Sequence, residues 1–240
     1  MTSKNVLIIG ANRGIGLNLL KAFLARSWNA TATIRPQSRN DPSISDLKKT
    51  GAKILEIDYL VEETIENAAK AYGDKPLDIL INVGGLPPHP KPWVEQSSDL
   101  MVERFRVMAV VSGPPTMRGV SDTLMVPFVP LEKATEPKVI NISSSFGSIS
   151  TNSFGTCMAY RTAKAALNQV SVTLAREWKD EGRKTTIVCF EPGFLSTRLT
   201  NWDGEDDMET SIAGLMRVIE SVTSQDSGGF MKWDGTKIPF

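Results

Sequence analysis

Residues 6 to 24 carry a pattern with few structural solutions. An unbroken apolar run from Val6 to Ile9 ends in Gly10, and Gly14 and Gly16 then open a stretch in which Ile15, Leu19, Leu20, Phe23 and Leu24 recur at helical spacing. This reads as a buried strand, a glycine turn and a helix. Glycine permits the tight turn, lets a ligand come close to the backbone and lets the helix pack on the strand, while the helix N-terminus turns its N–H groups toward an anion. A glycine trio alone is ordinary in turns. At the first strand-to-helix junction it points to a dinucleotide pyrophosphate.

The rest of the chain continues in the same alternation. Strands are predicted at 30–34, 53–57, 77–81, 138–142 and 185–190, and helices at 61–71, 100–111, 159–179 and 211–222. Pro87, Pro88, Pro90 and Pro92 make 84–96 a loop, Gly113-Pro114-Pro115 breaks the chain again, and 143–157 is a Ser/Gly/Thr-rich loop. Apolar strands alternating with helices form a parallel sheet covered on two sides. No repeat, linker or composition shift divides the sequence, so 1–240 is expected to form one doubly wound α/β domain with helices on both faces. Ligands of such sheets bind at the carboxyl ends of the strands, here after Ile9, Ile34, Ile57, Ile81, Ile142 and Phe190.

Composition removes other classes of function. With 41% hydrophobic and 22% charged residues among 240, the chain can bury roughly three quarters of its extended surface without a disulfide or a metal. Cys157 and Cys189 are far apart in sequence and His89 is the one histidine, so neither a disulfide framework nor a histidine metal site is expected. His89 reads as a surface residue among prolines, and Cys189 as core. Asp203, Glu205, Asp206, Asp207 and Glu209 read as a solvated loop and a first helical turn rather than a metal site. Lys+Arg and Asp+Glu balance at 27 each, without a polybasic run, which argues against nucleic acid or an anionic membrane as partner. Met1 runs directly into the first strand with no charged leader or long apolar segment, and the expected location is the cytoplasm.

The charge is unevenly placed. Residues 1–40 hold no Asp or Glu but carry Lys4, Arg13, Lys21, Arg26, Arg35 and Arg39. An acid that reads the ribose of NAD belongs about 20 residues beyond the glycine turn. The second strand instead ends Thr33-Ile34-Arg35. Arg35, with Arg13 inside the turn, suits a 2′-phosphate through charge-assisted hydrogen bonds, so the expected cofactor is NADP(H).

A second constellation carries reactive chemistry. Tyr160 and Lys164 stand four apart at the start of a long helix and share one face. A nearby ammonium is expected to lower the pKa of a phenol, and a serine hydroxyl such as that of Ser144 can hold a carbonyl oxygen while the phenol donates its proton.

These residues together resemble the short-chain dehydrogenase/reductase family over nearly the whole chain. The resemblance rests on Gly10-Ala-Asn-Arg-Gly-Ile-Gly16, Asp58, Asn82-Val-Gly-Gly85, Asn141-Ile-Ser-Ser144, Tyr160-Arg-Thr-Ala-Lys164, and Pro192-Gly193 with Thr197. It implies a sheet of the Rossmann type, with Tyr160 as proton donor or acceptor, Lys164 lowering its pKa and holding the nicotinamide ribose, and Ser144 orienting the carbonyl. It implies further that Asp58 meets the adenine, that Asn82 and Gly84 line the cofactor, and that Pro192, Gly193 and Thr197 surround the nicotinamide amide. Asn12, Ile15 and Tyr59 complete the cofactor-binding set with Gly10, Arg13, Gly14, Gly16 and Arg35. Phe105-Arg-Val107, Ala32-Thr-Ile-Arg35 and Gly229-Phe-Met-Lys-Trp-Asp-Gly235 are similar to the C-factor-like carbonyl reductases, a branch that some fungal polyketide ketoreductases also resemble.

Two positions depart from the family. Its Asn-Asn-Ala-Gly is here Asn82-Val83-Gly84-Gly85, and the asparagine expected three residues before Gly113 is Val110. In the family that asparagine holds a water linking the lysine to solvent. The leading expectation is NADPH-dependent reduction of a ketone or aldehyde on an apolar, aromatic or polyketide-type small molecule, in a pocket drawn from Trp93, Phe146, Phe154, Met158, Phe194, Leu199 and Trp202. The alternatives kept open by Val110 are a non-redox isomerase, cyclase or dehydratase, and a cofactor-binding regulator without turnover. The family also implies a homodimer or homotetramer paired through 112–128 and 159–179, with Pro115 and Pro127 set against the first of these helices.

Overall fold

The computed structural model describes residues 3–88, 92–110 and 128–240. Seven parallel strands form one sheet in the order β3-β2-β1-β4-β5-β6-β7. They are β1 (Asn5–Ile9), β2 (Asn29–Ile34), β3 (Lys53–Glu56), β4 (Ile79–Asn82), β5 (Lys138–Ile142), β6 (Thr186–Glu191) and β7 (Phe230–Lys232). The helices are α1 (Gly14–Ala25), α2 (Ile44–Lys49), α3 (Glu62–Tyr72), α4 (Ser98–Phe105), α5 (Phe128–Glu132), α6 (Met158–Asp180) and α7 (Met208–Ser221). This is the doubly wound, Rossmann-type sheet expected from the alternation, and its order reverses between β1 and β4.

The pleat sorts the apolar residues onto two faces. Val6 and Ile8, Ile79 and Ile81, Ile140 and Ile142, and Val188 and Phe190 enter one cluster with Leu19, Leu20 and Phe23 of α1 and Ile212, Leu215 and Ile219 of α7. Leu7, Leu80, Val139 and Ile187 point the other way, toward Tyr72 of α3 and Trp178 of α6. Each such side chain taken from water contributes about 1.5–3 kcal/mol, and losing either face would leave the continuous apolar strands half exposed.

Several boundaries differ from the sequence expectation for local reasons. α7 begins at Met208 rather than 211 because Asp207 caps it, accepting from Thr210 N at 2.8 Å. The helix expected at 100–111 is α4 followed by a π-turn over Arg106–Val110. β7 and α2 were not anticipated: three strand residues between glycines and a six-residue helix leave almost no periodicity to read. His89, the Gly113-Pro114-Pro115 break and the 112–127 portion of the expected pairing helix lie outside the described residues, as does the Val110 side chain. No helix among the described residues is long and apolar enough to cross a membrane.

Candidate active site

The carboxyl ends of β1, β4, β5 and β6 meet around a cleft of about 310 Å³. Its wall includes Ile15, Gly85, Ser144, Phe146, Tyr160, Lys164, Glu191, Gly193, Phe194, Thr197 and Leu199. Ser144, Tyr160 and Lys164, distant in sequence, therefore share one cavity. Of the expected pocket residues, Phe146, Phe194 and Leu199 line it and Trp93, Phe154, Met158 and Trp202 do not. Phe154 is an outer neighbour, its ring edge-on to Phe146 at a centroid distance of 5.7 Å.

α6 delivers the reactive pair. Tyr160 and Lys164 are one turn apart and buried, and Lys164 Nζ lies 5.9 Å from the centre of the Tyr160 ring. Lys164 Nζ donates to the carbonyl of Ile142, the last residue of β5, at 2.8 Å. Burial pushes the Lys164 ammonium down to about 8, with Cys189 and Glu191 opposing the fall. Burial also pushes the Tyr160 phenol above its ordinary value; Glu191 adds to that rise and the hydrogen bond with Ser144 opposes it. The phenol is thus held up rather than lowered, contrary to the expectation from the lysine four residues on. At neutral pH Tyr160 carries its proton, the form a donor requires.

Ser144, two residues beyond β5, caps a 3-10 turn over Ser145–Gly147, accepting from Phe146 N at 3.3 Å. Its neighbour Ser143 is occupied elsewhere, donating to Asn168 Oδ1 of α6 at 2.6 Å, and Asn168 Nδ2 returns to Gly147 O at 3.3 Å. These bonds lock the serine loop to the helix that carries Tyr160. Sequence reasoning missed Glu191. Its carboxylate accepts from Ser145 N on one oxygen and from Gly193 N on the other, so it ties the loop after β5 to the loop after β6. Burial raises its pKa, and the two backbone donors work against that rise. A single Glu before Pro-Gly carries no sequence signal for this role.

The residues assigned to a dinucleotide fall along the same strand ends. Gly10 has a φ of +84°, and a Cβ there would stand 3.4 Å from Gly84 N, so the turns after β1 and β4 face each other closely. At Gly16 a Cβ would run into the Gly10 carbonyl, which fixes glycine where α1 packs on β1. α1 starts with neither an acid in its first turn nor a side-chain cap, leaving its first N–H groups for an anion. Gly14 lies under Thr197, whose methyl would be 3.5 Å from a Cβ there. Asp58 is buried and accepts from Leu60 N at 3.0 Å and from Gln37 Nε2 at 2.5 Å. Beside it Tyr59 packs against Gly84, and its buried hydroxyl has no hydrogen-bond partner among the described residues. A glycine cradle, open helix N–H groups and an orphaned buried hydroxyl fit a dinucleotide.

Three assignments read differently in three dimensions. Asn82 turns its amide inward to Asn141 Oδ1 at 2.7 Å, and Asn141 continues to Ser171 Oγ at 2.9 Å, where the Cys189 thiol also donates at 3.1 Å. Asn12 donates to Ser43 Oγ at 3.1 Å and so braces the turn against the loop after β2. Ile34, where an NAD-reading acid would stand, belongs to the apolar core. Arg35 is exposed beyond it, and Arg13 pairs with Asp41. Both cysteines are buried and free, and no group of His, Cys, Asp or Glu suited to a metal occurs among the described residues.

A parallel sheet of this order, with a glycine turn after its first strand and Ser144, Tyr160 and Lys164 in one cavity at the strand ends, has the form of a dinucleotide-dependent oxidoreductase. The family model for short chain dehydrogenases matches residues 4–207, and the chain belongs to that family. It is 31% identical to the short-chain dehydrogenase RED3 of Pyricularia oryzae over 99% of each chain, and 28% identical to the short-chain dehydrogenase srdF of Neurospora crassa over 98% of this chain and 97% of that one. Among solved structures, the carbonyl reductase Sniffer of D. melanogaster superposes over 100% of both chains with a TM-score of 0.86 and 26% identity.

Proposed function

We propose that this chain is an NADPH-dependent carbonyl reductase acting on an apolar, aromatic or polyketide-type ketone or aldehyde. The observation that carries the reading is the convergence of Ser144, Tyr160 and Lys164 on one cavity whose outer wall is Phe146, Phe194 and Leu199. The likeness to Sniffer, a carbonyl reductase, supports the same chemistry. A bound nicotinamide would supply the hydride. Ser144 would hold the carbonyl oxygen, and Tyr160 would give its proton to that oxygen as the alcohol forms. Lys164 would hold the nicotinamide ribose and stabilise the phenolate left behind. Gly10, Gly14, Gly16, Ile15 and Asn12 would form the pyrophosphate turn, Asp58, Tyr59 and Gly84 the adenosine side, and Pro192, Gly193 and Thr197 the nicotinamide side. Arg13 and Arg35 are the reason for choosing NADP(H), since both are cations and the acid of an NAD site is replaced by buried Ile34.

The chain is proposed to be one cytoplasmic catalytic domain that assembles as a homodimer or homotetramer. The rival readings arise from Val110: a non-redox isomerase, cyclase or dehydratase, or a regulator without turnover. One experiment separates them. Incubation with a panel of aromatic and aliphatic carbonyl compounds and NADPH is expected to consume NADPH in one-to-one proportion to alcohol formed. Product without NADPH loss would establish the non-redox alternative, and tight NADPH binding with no product from any carbonyl would leave the regulator.

A further inference from the structure

Arg13, in the glycine turn after β1, and Arg198, in the loop after β6, converge on the same atom. Arg13 Nη1 lies 3.3 Å and Arg198 Nη1 3.0 Å from Asp41 Oδ2. The other oxygen, Oδ1, accepts from Ser43 N at 2.9 Å. Asp41 sits in the loop between β2 and α2, so the two pairs bridge the loops after β1, β2 and β6 across the strand ends where the cofactor residues lie. Arg35 is close enough to Arg13 that its charge disfavours the Arg13 cation, as Arg198 also does. Two guanidinium groups thus grip one carboxylate and a third, that of Arg35, stands near Arg13, three cations against one anion in a protein whose formal net charge is zero.

A carboxylate oxygen gripped by two arginines has the donors that a phosphate oxygen would use. We propose that Asp41 holds the place of the cofactor's 2′-phosphate, that the phosphate displaces Asp41 from the two guanidinium groups, and that Arg198 is a third cation for that phosphate beside Arg13 and Arg35. Asp41 remains anchored through Ser43, and it stays ionised at neutral pH, its carboxyl held down at about 2 by the Ser43 N–H and hydroxyl first and by Arg198 and Arg13 after them. It therefore competes with the phosphate and repels it. Arg198 follows Thr197, which lies over Gly14, so the loop that covers the glycine turn also supplies the third cation.

This inference rests on the NADP(H) reading, and the test keeps the two apart. Equilibrium dissociation constants of NADPH, NADH and 2′,5′-ADP are measured by titration calorimetry on the unmodified protein and on Arg35→Ala, Asp41→Asn and Arg198→Gln. Preference of the unmodified protein for NADPH, narrowed by Arg35→Ala, is the NADP(H) reading itself; equal affinities for the two dinucleotides would remove that reading and this inference with it. Given that preference, Asp41→Asn is expected to tighten NADPH and 2′,5′-ADP about three- to tenfold and leave NADH within twofold. Arg198→Gln is expected to weaken NADPH and 2′,5′-ADP about five- to twentyfold, again sparing NADH. Weaker NADPH binding in Asp41→Asn would make Asp41 a brace for Arg13 and overturn the proposal. Unchanged NADPH affinity in Arg198→Gln, or equal loss of NADPH and NADH, would overturn the role of Arg198. Thermal unfolding of each variant without ligand separates a loss of fold from a loss of phosphate affinity.

Discussion

Replacing Lys164 by Met should make the protein more stable while it disables the site. Lys164 is 3% exposed, and its pKa falls from 10.5 to about 8 in the folded chain. Each unit is about 1.4 kcal/mol, so the buried ammonium costs roughly 3 kcal/mol of folding stability at any pH below 8, where lysine is protonated in both folded and unfolded chains. Between pH 8 and 10.5 the unfolded chain binds more protons, stability rises with pH, and above 10.5 the cost is gone. Methionine keeps the aliphatic stem and fills nearly the same volume. It forfeits the bond to Ile142 O, worth about 1–2 kcal/mol. The net expectation at pH 7 is a gain of about 1–2 kcal/mol, or roughly 2–8 °C in Tm for a chain of this size. Urea unfolding of cofactor-free protein at pH 7 and pH 10 measures the gap directly. It should shrink to about zero or reverse at pH 10, and carbonyl turnover should be lost at both. A Lys164→Met protein less stable than its parent at pH 7, or a gap independent of pH, would refute the reasoning that lysine is kept for function at the expense of stability.

Three further outcomes follow from the same geometry. Tyr160→Phe keeps the ring among Met108, Cys157 and Ala163 but removes the proton, so dinucleotide affinity should hold while turnover falls by about two to four powers of ten; turnover at the parent rate would exclude Tyr160 as the acid. Arg35→Ala removes an exposed cation and should weaken NADPH about tenfold or more without weakening NADH, as dissociation constants will show. Glu191→Gln removes the charge that helps hold the Tyr160 phenol up, so the alkaline limb of the reduction rate, where Tyr160 loses its proton, should move to lower pH; a profile scaled down at every pH without a shift would mean that Glu191 acts only as a tie between loops.

The fold was legible because its signals are periodic and repeated. β1, β4, β5 and β6 carry apolar residues on both faces and β2 on one, and each is followed by a break, so a wrong boundary at one strand does not change the topology. β7 lacked that redundancy: Phe230–Lys232 becomes a strand by pairing with Cys189–Glu191, a contact that no local pattern in three residues can announce. The site divides in the same manner. Gly10, Gly14, Gly16, Tyr160 and Lys164 could be read because spacing along one element fixes their relation. Residues that act by meeting another loop could not: Asp41 is one acid among 27 Asp and Glu until Arg13 and Arg198 close on it.

Glu191 shows what that difference means for chemistry. Lys164 and Tyr160 read along the helix suggest a lysine that lowers the phenol, because that argument contains only the charges of one element. Folding brings in burial and a carboxylate from β6, and both push the phenol upward. Water would have screened the carboxylate, but burial among the packed strand ends lowers the local dielectric and strengthens its charge. The proton-donating form of Tyr160 at neutral pH is therefore a property of the packed strand ends, set where β5, β6 and α6 meet, and it belongs to no single motif. A chain retaining Tyr160 and Lys164 but carrying a neutral residue at 191 would hold the same tyrosine and lysine with a different balance between giving and taking a proton.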